Sequence, residues 1–312
     1  MKIPERILKK VEKPARYTGG EWGQIVKDKN TVDVRFAFCF PDTYEIGMSN
    51  LGVRILYDVL NARADTWCER VYAPWVDMEA CMREEHIPLW AHESGDPVSE
   101  FDIVGFSLQY ELCYTNVLNM LELAGIPLLA AERGDDAPVV VGGGPCTYNA
   151  EPIADYFDLF MIGEGLEADG FAGYLVFGEG EEVICELVSL YKEHKKRGFR
   201  KAAFLHEAAK IEGIYVPSLY EVSYHDNGTI ASVSPKYDDI PMTVKKRIVK
   251  DMDKAPYPKT LVMPFIQTVQ DKITLEVYRG CIRGCRFCQA GMVWRPVREK
   301  SPEVLCEAAM TL

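Results

Sequence analysis

Residues 32–62 read VDVRFAFCFPDTYEIGMSNLGVRILYDVLNA. Val32 to Phe40 is apolar, β-branched or aromatic along most of its length, the pattern of a strand buried on both faces. Pro41-Asp42 then marks a turn. From Met48 to Ala62, Leu51, Ile55, Val59 and Leu60 recur on one helical stripe, with Ser49 or Asn50 placed to cap the first turn. The stretch is one β-turn-α unit, and the rest of the chain repeats it. Val71 to Ala73 precedes an expected helix over Asp77 to Glu85. Ile103 to Leu108 precedes one from about Thr115 to Ala124, and Val139 to Val141 runs into Gly142-Gly143-Gly144. Strands alternating with helices predict an α/β, doubly wound parallel sheet whose ligands lie beyond the carboxyl ends of the strands. That directs attention to Pro41–Gly47, Ser107–Tyr114 and Gly142–Thr147.

Further strands are expected at Asp158 to Ile162 and at Lys272 to Tyr278. A charged amphipathic helix is expected at Glu181 to Lys196, and a hairpin at Leu219 to Val233, around Asn227-Gly228. Val176 to Gly180 (VFGEG) echoes Met161 to Gly165 (MIGEG). Pro235 to Pro264 carries five prolines and the patch Lys245-Lys246-Arg247, and reads as a surface connector. The expected division is an extension at 1–30, the sheet domain at 31–198, a hairpin and connector at 199–270, and a separate segment at 271–312.

The chain has 312 residues, 48% of them hydrophobic, with 16 Tyr, 13 Phe and 5 Trp, ample for a packed interior. Lys and Arg number 35 against 47 Asp and Glu, a net charge of −12, which opposes general nucleic-acid binding. The first thirty residues carry charge throughout and lack the apolar core of a secretory signal, so a cytoplasmic location is expected. No run approaches the roughly 18 apolar residues that a membrane span needs.

Three of the ten cysteines crowd into eight positions, Cys281, Cys285 and Cys288. Thiolates are soft ligands suited to zinc, copper(I) and iron–sulfur clusters, and this loop supplies three and no more. A closed zinc site wants four ligands. With no His after His225, only Cys306 could complete one. Three thiolates favour a cluster with an open iron.

Glu276-Val-Tyr-Arg-Gly-Cys281-Ile-Arg-Gly-Cys285-Arg-Phe-Cys288 resembles the cluster loop of the radical SAM superfamily. The resemblance implies that the three cysteines bind a 4Fe-4S cluster, that its fourth iron takes S-adenosylmethionine, and that Phe287 lies beside the adenine. It implies an enzyme that cleaves S-adenosylmethionine reductively to a 5′-deoxyadenosyl radical acting on an unidentified substrate, with a flavodoxin or ferredoxin as reductant. Arg279, Arg283, Arg286, Arg295, Arg298 and Lys300 surround these cysteines. They either tune the cluster or receive an anion, or form a solvated basic face.

Asp42-x-Tyr44-x-x-Gly47 stands in the first strand-to-helix loop, where cobalamin-binding domains carry Asp-x-His-x-x-Gly. Tyr replaces the cobalt-ligating His, so the resemblance implies a corrinoid held without that bond or a scaffold that holds none. Ser107-Leu108-Gln109 loosely matches that family's Ser-x-Leu, and Gly142-Gly143 its paired glycines. The order of parts, with Lys13-Pro-Ala-Arg-Tyr17, Phe40-Pro-Asp-Thr-Tyr44 and Cys288-Gln-Ala-Gly291, resembles uncharacterised radical SAM proteins with an amino-terminal cobalamin-binding-like domain. A β/α barrel needs roughly 30 residues per unit, so 271–312 is expected to hold only the first β/α unit of an incomplete, truncated barrel. A second polypeptide would complete it, meeting an apolar face that includes Val277, Val293, Val304 and Leu305. The alternatives are a non-catalytic module binding a corrinoid, nucleotide or partner, and a zinc-stabilised interaction protein.

Overall fold

The computed structural model describes residues 3–162, 179–258, 261–270, 272–288, 291 and 294–311, and the backbone alone at 166–167 and 175–176. Gly163–Gly165 of the first Gly-Glu-Gly echo, Phe177-Gly178 of the second, Gln289-Ala290 and Val293 lie outside the described residues.

The strands β1 (Val34–Phe40), β2 (Thr66–Tyr72), β3 (Ile103–Ser107), β4 (Val139–Gly143) and β5 (Leu159–Met161) form the core of a six-stranded sheet. Their order is β2-β1-β3-β4-β5, all parallel, and Ile214–Tyr215 closes the edge antiparallel to β5. The architecture is a mixed, mostly parallel α/β sheet of Rossmann-like type. All seven residues of β1 are buried, as the continuous apolar run requires of a strand covered on both faces.

β2 begins earlier than its apolar residues suggest, because Glu69 and Arg70 are buried within it. Arg35 holds Glu69 at 2.5 Å, while Arg70 reaches Glu93 at 2.5 Å and Glu21 at 3.1 Å. Paired in this way, charges tolerate a strand interior that they could not occupy alone. The Leu51–Asn61 helix starts where Asn50 accepts the Val53 N–H, as expected of a cap. A short extra helix, Tyr44–Ser49, fills the turn before it.

The helix Gly180–Lys196 packs on the sheet through Val183, Ile184, Leu187 and Val188, all buried. The helix Lys201–Ala208 and the edge strand Ile214–Tyr215 carry the sheet past residue 198. Tyr220–Tyr224 and Ile230–Pro235 pair antiparallel as the expected hairpin, turning at Gly228 with φ +82°. The connector returns over the α/β unit, where the Met263 N–H donates to the Trp22 carbonyl and the Gln270 N–H to Ser49 Oγ.

In 272–311 the strand expected over Lys272 to Tyr278 is reduced to Tyr278–Arg279, paired antiparallel with Arg298–Glu299 and followed by the helix Pro302–Thr311. A barrel strand takes parallel ladders from two neighbours. Among the described residues none lies beside this segment, so its backbone pairs with its own return strand instead.

Candidate functional site

The cysteine loop leaves the Tyr278–Arg279 strand through Gly280. Gly280 has φ +102°, and a Cβ there would stand 2.5 Å from the Trp294 carbonyl and 2.6 Å from that of Pro296. Only glycine lets the two strands of this loop come so close. Gly284, at φ +63°, makes the second left-handed bend. All three thiols are free. Cys285 is exposed, and Cys281 and Cys288 are half-buried.

The Arg283 N–H donates to Cys281 Sγ at 3.4 Å, and the Cys288 N–H to the Cys285 carbonyl. Phe287 is 93% exposed and Ile282 81% exposed. Among the described residues no three His, Cys, Asp or Glu side chains are gathered as a metal site. The donor set nonetheless fits a thiophilic cluster. Three free thiols lie on one accessible loop, and an amide is already directed at one sulfur, an interaction that tunes such clusters. Cys306 is exposed on the Pro302–Thr311 helix.

The basic residues around the loop divide into two groups. Arg283, Arg286 and Arg295 are exposed, whereas Arg279 is fully buried. Its Nε donates to Glu276 Oε1 at 2.8 Å, and Nη2 to Glu276 Oε2 at 3.0 Å and to Glu181 Oε1 at 2.6 Å. Burial works against the Arg279 charge, but Glu181 and Glu276 outweigh it and hold its pKa above the ordinary value. Arg298 bonds Glu179 and donates to the Val249 carbonyl, and the Glu179 carboxylate also accepts the Val249 N–H. Lys300 is buried against the Met252 carbonyl at 2.7 Å, and burial lowers its pKa. Sequence reasoning missed Glu179 and Glu181. Glu276 stands three residues before Arg279 and was visible, but Glu181 lies 98 positions away and nothing local announces it.

The second candidate lies at the carboxyl ends of β1, β3 and β4, where the winding reverses between β1 and β3. Asp42 accepts the Tyr110 hydroxyl at 3.0 Å across this crevice, and its other oxygen accepts the Thr43 N–H. Ser107 accepts from the Gln109 amide. Tyr44 faces elsewhere. It is 1% exposed, stacks on His92 at 5.7 Å, and donates its hydroxyl to Glu21 Oε1 at 2.9 Å. Burial and the neighbouring Glu21 push its phenol pKa up. Burial alone would raise the Glu21 carboxyl, but Arg70 and His92 bring it below its ordinary value.

The glycines at this end serve packing. A Cβ on Gly142 would meet the Phe160 ring at 2.6 Å, and one on Gly47 would meet Tyr72 at 2.3 Å. Ser107, Gly143 and Gly144 do share an apolar cavity with Leu56 and Val183, but its volume is about 40 Å³. Small-molecule sites run to roughly 300 Å³ and more. The residues that resemble a corrinoid site therefore do not fit one here. The phenol is held by Glu21, and the space beside the glycines is filled by side chains.

A family model described as radical SAM proteins, N-terminal, matches residues 52–170 and 168–217, more than half of the chain. The cysteine loop lies beyond that match. An uncharacterised protein of Methanocaldococcus jannaschii is 24% identical over 272 residues, covering 84% of this chain and 42% of the relative. The chain thus spans less than half the length of that relative. No solved structure matches the chain. Among the described residues no helix is long and apolar enough to cross a membrane.

Proposed function

From a chain that belongs to the radical SAM proteins by its N-terminal region, we propose that Cys281, Cys285 and Cys288 ligate three irons of a 4Fe-4S cluster that initiates radical chemistry on a bound substrate. The observation that carries this reading is the loop itself, three free thiols at Cys-x3-Cys-x2-Cys spacing with the Arg283 N–H directed at Cys281 Sγ. A cluster held by the three thiolates would supply the electron for reductive cleavage of S-adenosylmethionine to methionine and a 5′-deoxyadenosyl radical.

The chain's own residues have defined tasks in this reading. The three thiols lose their protons on ligation. The Arg283 amide stabilises charge on Cys281 sulfur, and the exposed guanidinium groups of Arg283, Arg286 and Arg295 offset the negative charge of a thiolate-bound centre or hold a carboxylate. Phe287, free of protein contacts over most of its ring, offers a face to adenine. Val277, Tyr278, Ile282 and Phe287 leave apolar surface around the loop exposed. That surface is covered by further barrel strands or by a second polypeptide, which excludes water from the radical. A flavodoxin or ferredoxin supplies the electron, in a reducing, cytoplasmic compartment. No step passes through cobalamin.

Anaerobic reconstitution of wild type and Cys285→Ser with iron and sulfide tests the assignment. Wild type retains iron and acid-labile sulfide in equal amounts, and the variant loses most of both. Equal retention by the two proteins contradicts the assignment.

A further inference from the structure

The geometry points to Glu181, with Glu179 beside it, as a positioning residue of the cysteine loop that acts from the sheet domain through Arg279 and Arg298. Arg279 stands two residues before Cys281 and is fully buried, so its side chain fixes the backbone from which the loop departs. Its bidentate bond to Glu276 is local to the strand. The 2.6 Å bond to Glu181 Oε1 ties that strand to the first turn of the Gly180–Lys196 helix. Among the described residues Glu181 Oε2 makes no hydrogen bond although it is buried, so Arg279 is the carboxylate's hydrogen-bonded cationic partner there and its charge loses that compensation if Arg279 moves.

The second tie has its own signature. Glu179 adopts φ +61°, a left-handed conformation that a residue with a side chain pays to hold. In that conformation its carboxylate bridges Arg298 and the Val249 N–H, on the return strand of the loop and on the connector. The loop is thus held from both sides by two carboxylates of one helix start. Not every acidic residue of that helix is placed in this way. Glu182 and Glu186 meet Arg247 at 3.0 and 2.7 Å, but both are about half exposed. Such surface pairs contribute little.

The inference rests on the proposed cluster for its functional meaning, but the clasp is tested without metal. Amide hydrogen exchange of apo protein is compared among wild type, Glu181→Gln, Arg279→Lys and the control Glu182→Gln. Wild type and Glu182→Gln exchange alike over 276–284. Glu181→Gln, which keeps shape and removes charge, raises exchange there by at least about tenfold, while Phe36–Phe38 and Val104–Phe106 in β1 and β3 stay protected. Arg279→Lys keeps the charge but loses the fork, and raises exchange over the same segment by less.

Unchanged exchange over 276–284 in Glu181→Gln overturns the proposal. So does a rise of equal size in β1 and β3, or a Glu181→Gln protein that fails to fold while Arg279→Lys exchanges like wild type, since Glu181 then serves domain stability only. Iron retention after reconstitution, measured on the same variants, separates the two readings. A loosened loop in a wild-type protein that binds no iron sinks the cluster and leaves the clasp. Full iron in wild type with no change in exchange in Glu181→Gln sinks the clasp and leaves the cluster.

Discussion

Substituting Gly280 by alanine perturbs the loop one residue from its first thiol, and the backbone geometry around it sets the size of the effect. The φ of +102° costs an alanine about 1–2 kcal/mol, because its Cβ crowds the neighbouring carbonyl. The Cβ would also stand 2.5 Å from the Trp294 carbonyl, 2.6 Å from that of Pro296 and 2.8 Å from Val297 Cα. These are backbone atoms, which cannot swing aside as a side-chain end can. Relieving overlap of this kind costs about 1–3 kcal/mol more. Gly284→Ala is the internal reference. At φ +63° it carries only the left-handed cost, since the nearest atom to its Cβ is the flexible Arg295 Nη2 at 3.5 Å. The assay is amide exchange over 276–300 in the apo proteins, followed by iron and sulfide content after reconstitution. Gly280→Ala opens the segment about tenfold or more beyond Gly284→Ala and loses most of its iron, and Gly284→Ala keeps the larger share. Equal behaviour of the two variants refutes the close approach of the loop's strands.

Gly142→Ala drives a methyl into the Phe160 ring and costs about 1–3 kcal/mol of thermal stability; an unchanged melting temperature contradicts the packing role given to this glycine. Tyr44→Phe removes the hydroxyl that Glu21 accepts and costs about 1–3 kcal/mol, while titration of wild type with hydroxocobalamin leaves the corrinoid spectrum unchanged. A shifted spectrum that Tyr44→Phe abolishes restores the corrinoid site. Burial pushes the His92 imidazole from 6.5 down to about 4, with Arg70 adding to the effect and Glu21 opposing it. Between those values the unfolded chain binds a proton that the folded chain refuses, so stability falls as pH falls through this window, by up to about 3 kcal/mol. His92→Gln flattens that acid limb relative to wild type in denaturant titrations at pH 4 to 6.5, and identical limbs refute the assignment. Cys306→Ser leaves metal retention unaltered where Cys285→Ser lowers it; equal loss in both proteins supports a four-thiolate zinc site instead.

The parallel sheet was legible in the sequence because β1, β3 and β4 are covered on both faces, and double coverage leaves continuous apolar runs. β2 was legible only at its end, because Glu69 and Arg70 break the run and their partners, Arg35, Glu93 and Glu21, come from elsewhere in the chain. The short helix Lys201–Ala208 and the two-residue edge strand carry too few periods to register. At the cysteine loop, local spacing named the thiols and the chemistry of their donor set. Spacing could not show that Arg279 and Arg298 are held by Glu181 and Glu179, since ion pairing across 98 and 119 positions leaves no local pattern. The residues resembling a corrinoid site show the converse. Asp42, Tyr44 and Gly142 stand at the expected turns, but their side-chain surroundings, set by Tyr110, Glu21 and Phe160, give them structural work.

The central claim is the open iron at Cys281, Cys285 and Cys288. Low-temperature EPR of anaerobically reconstituted, reduced protein, recorded with and without S-adenosylmethionine, tests it most directly. About four irons per chain and a reduced-cluster signal that changes on adding S-adenosylmethionine are the predicted result. One zinc per chain without sulfide, or a cluster signal that persists when all three cysteines are replaced by serine, contradicts it.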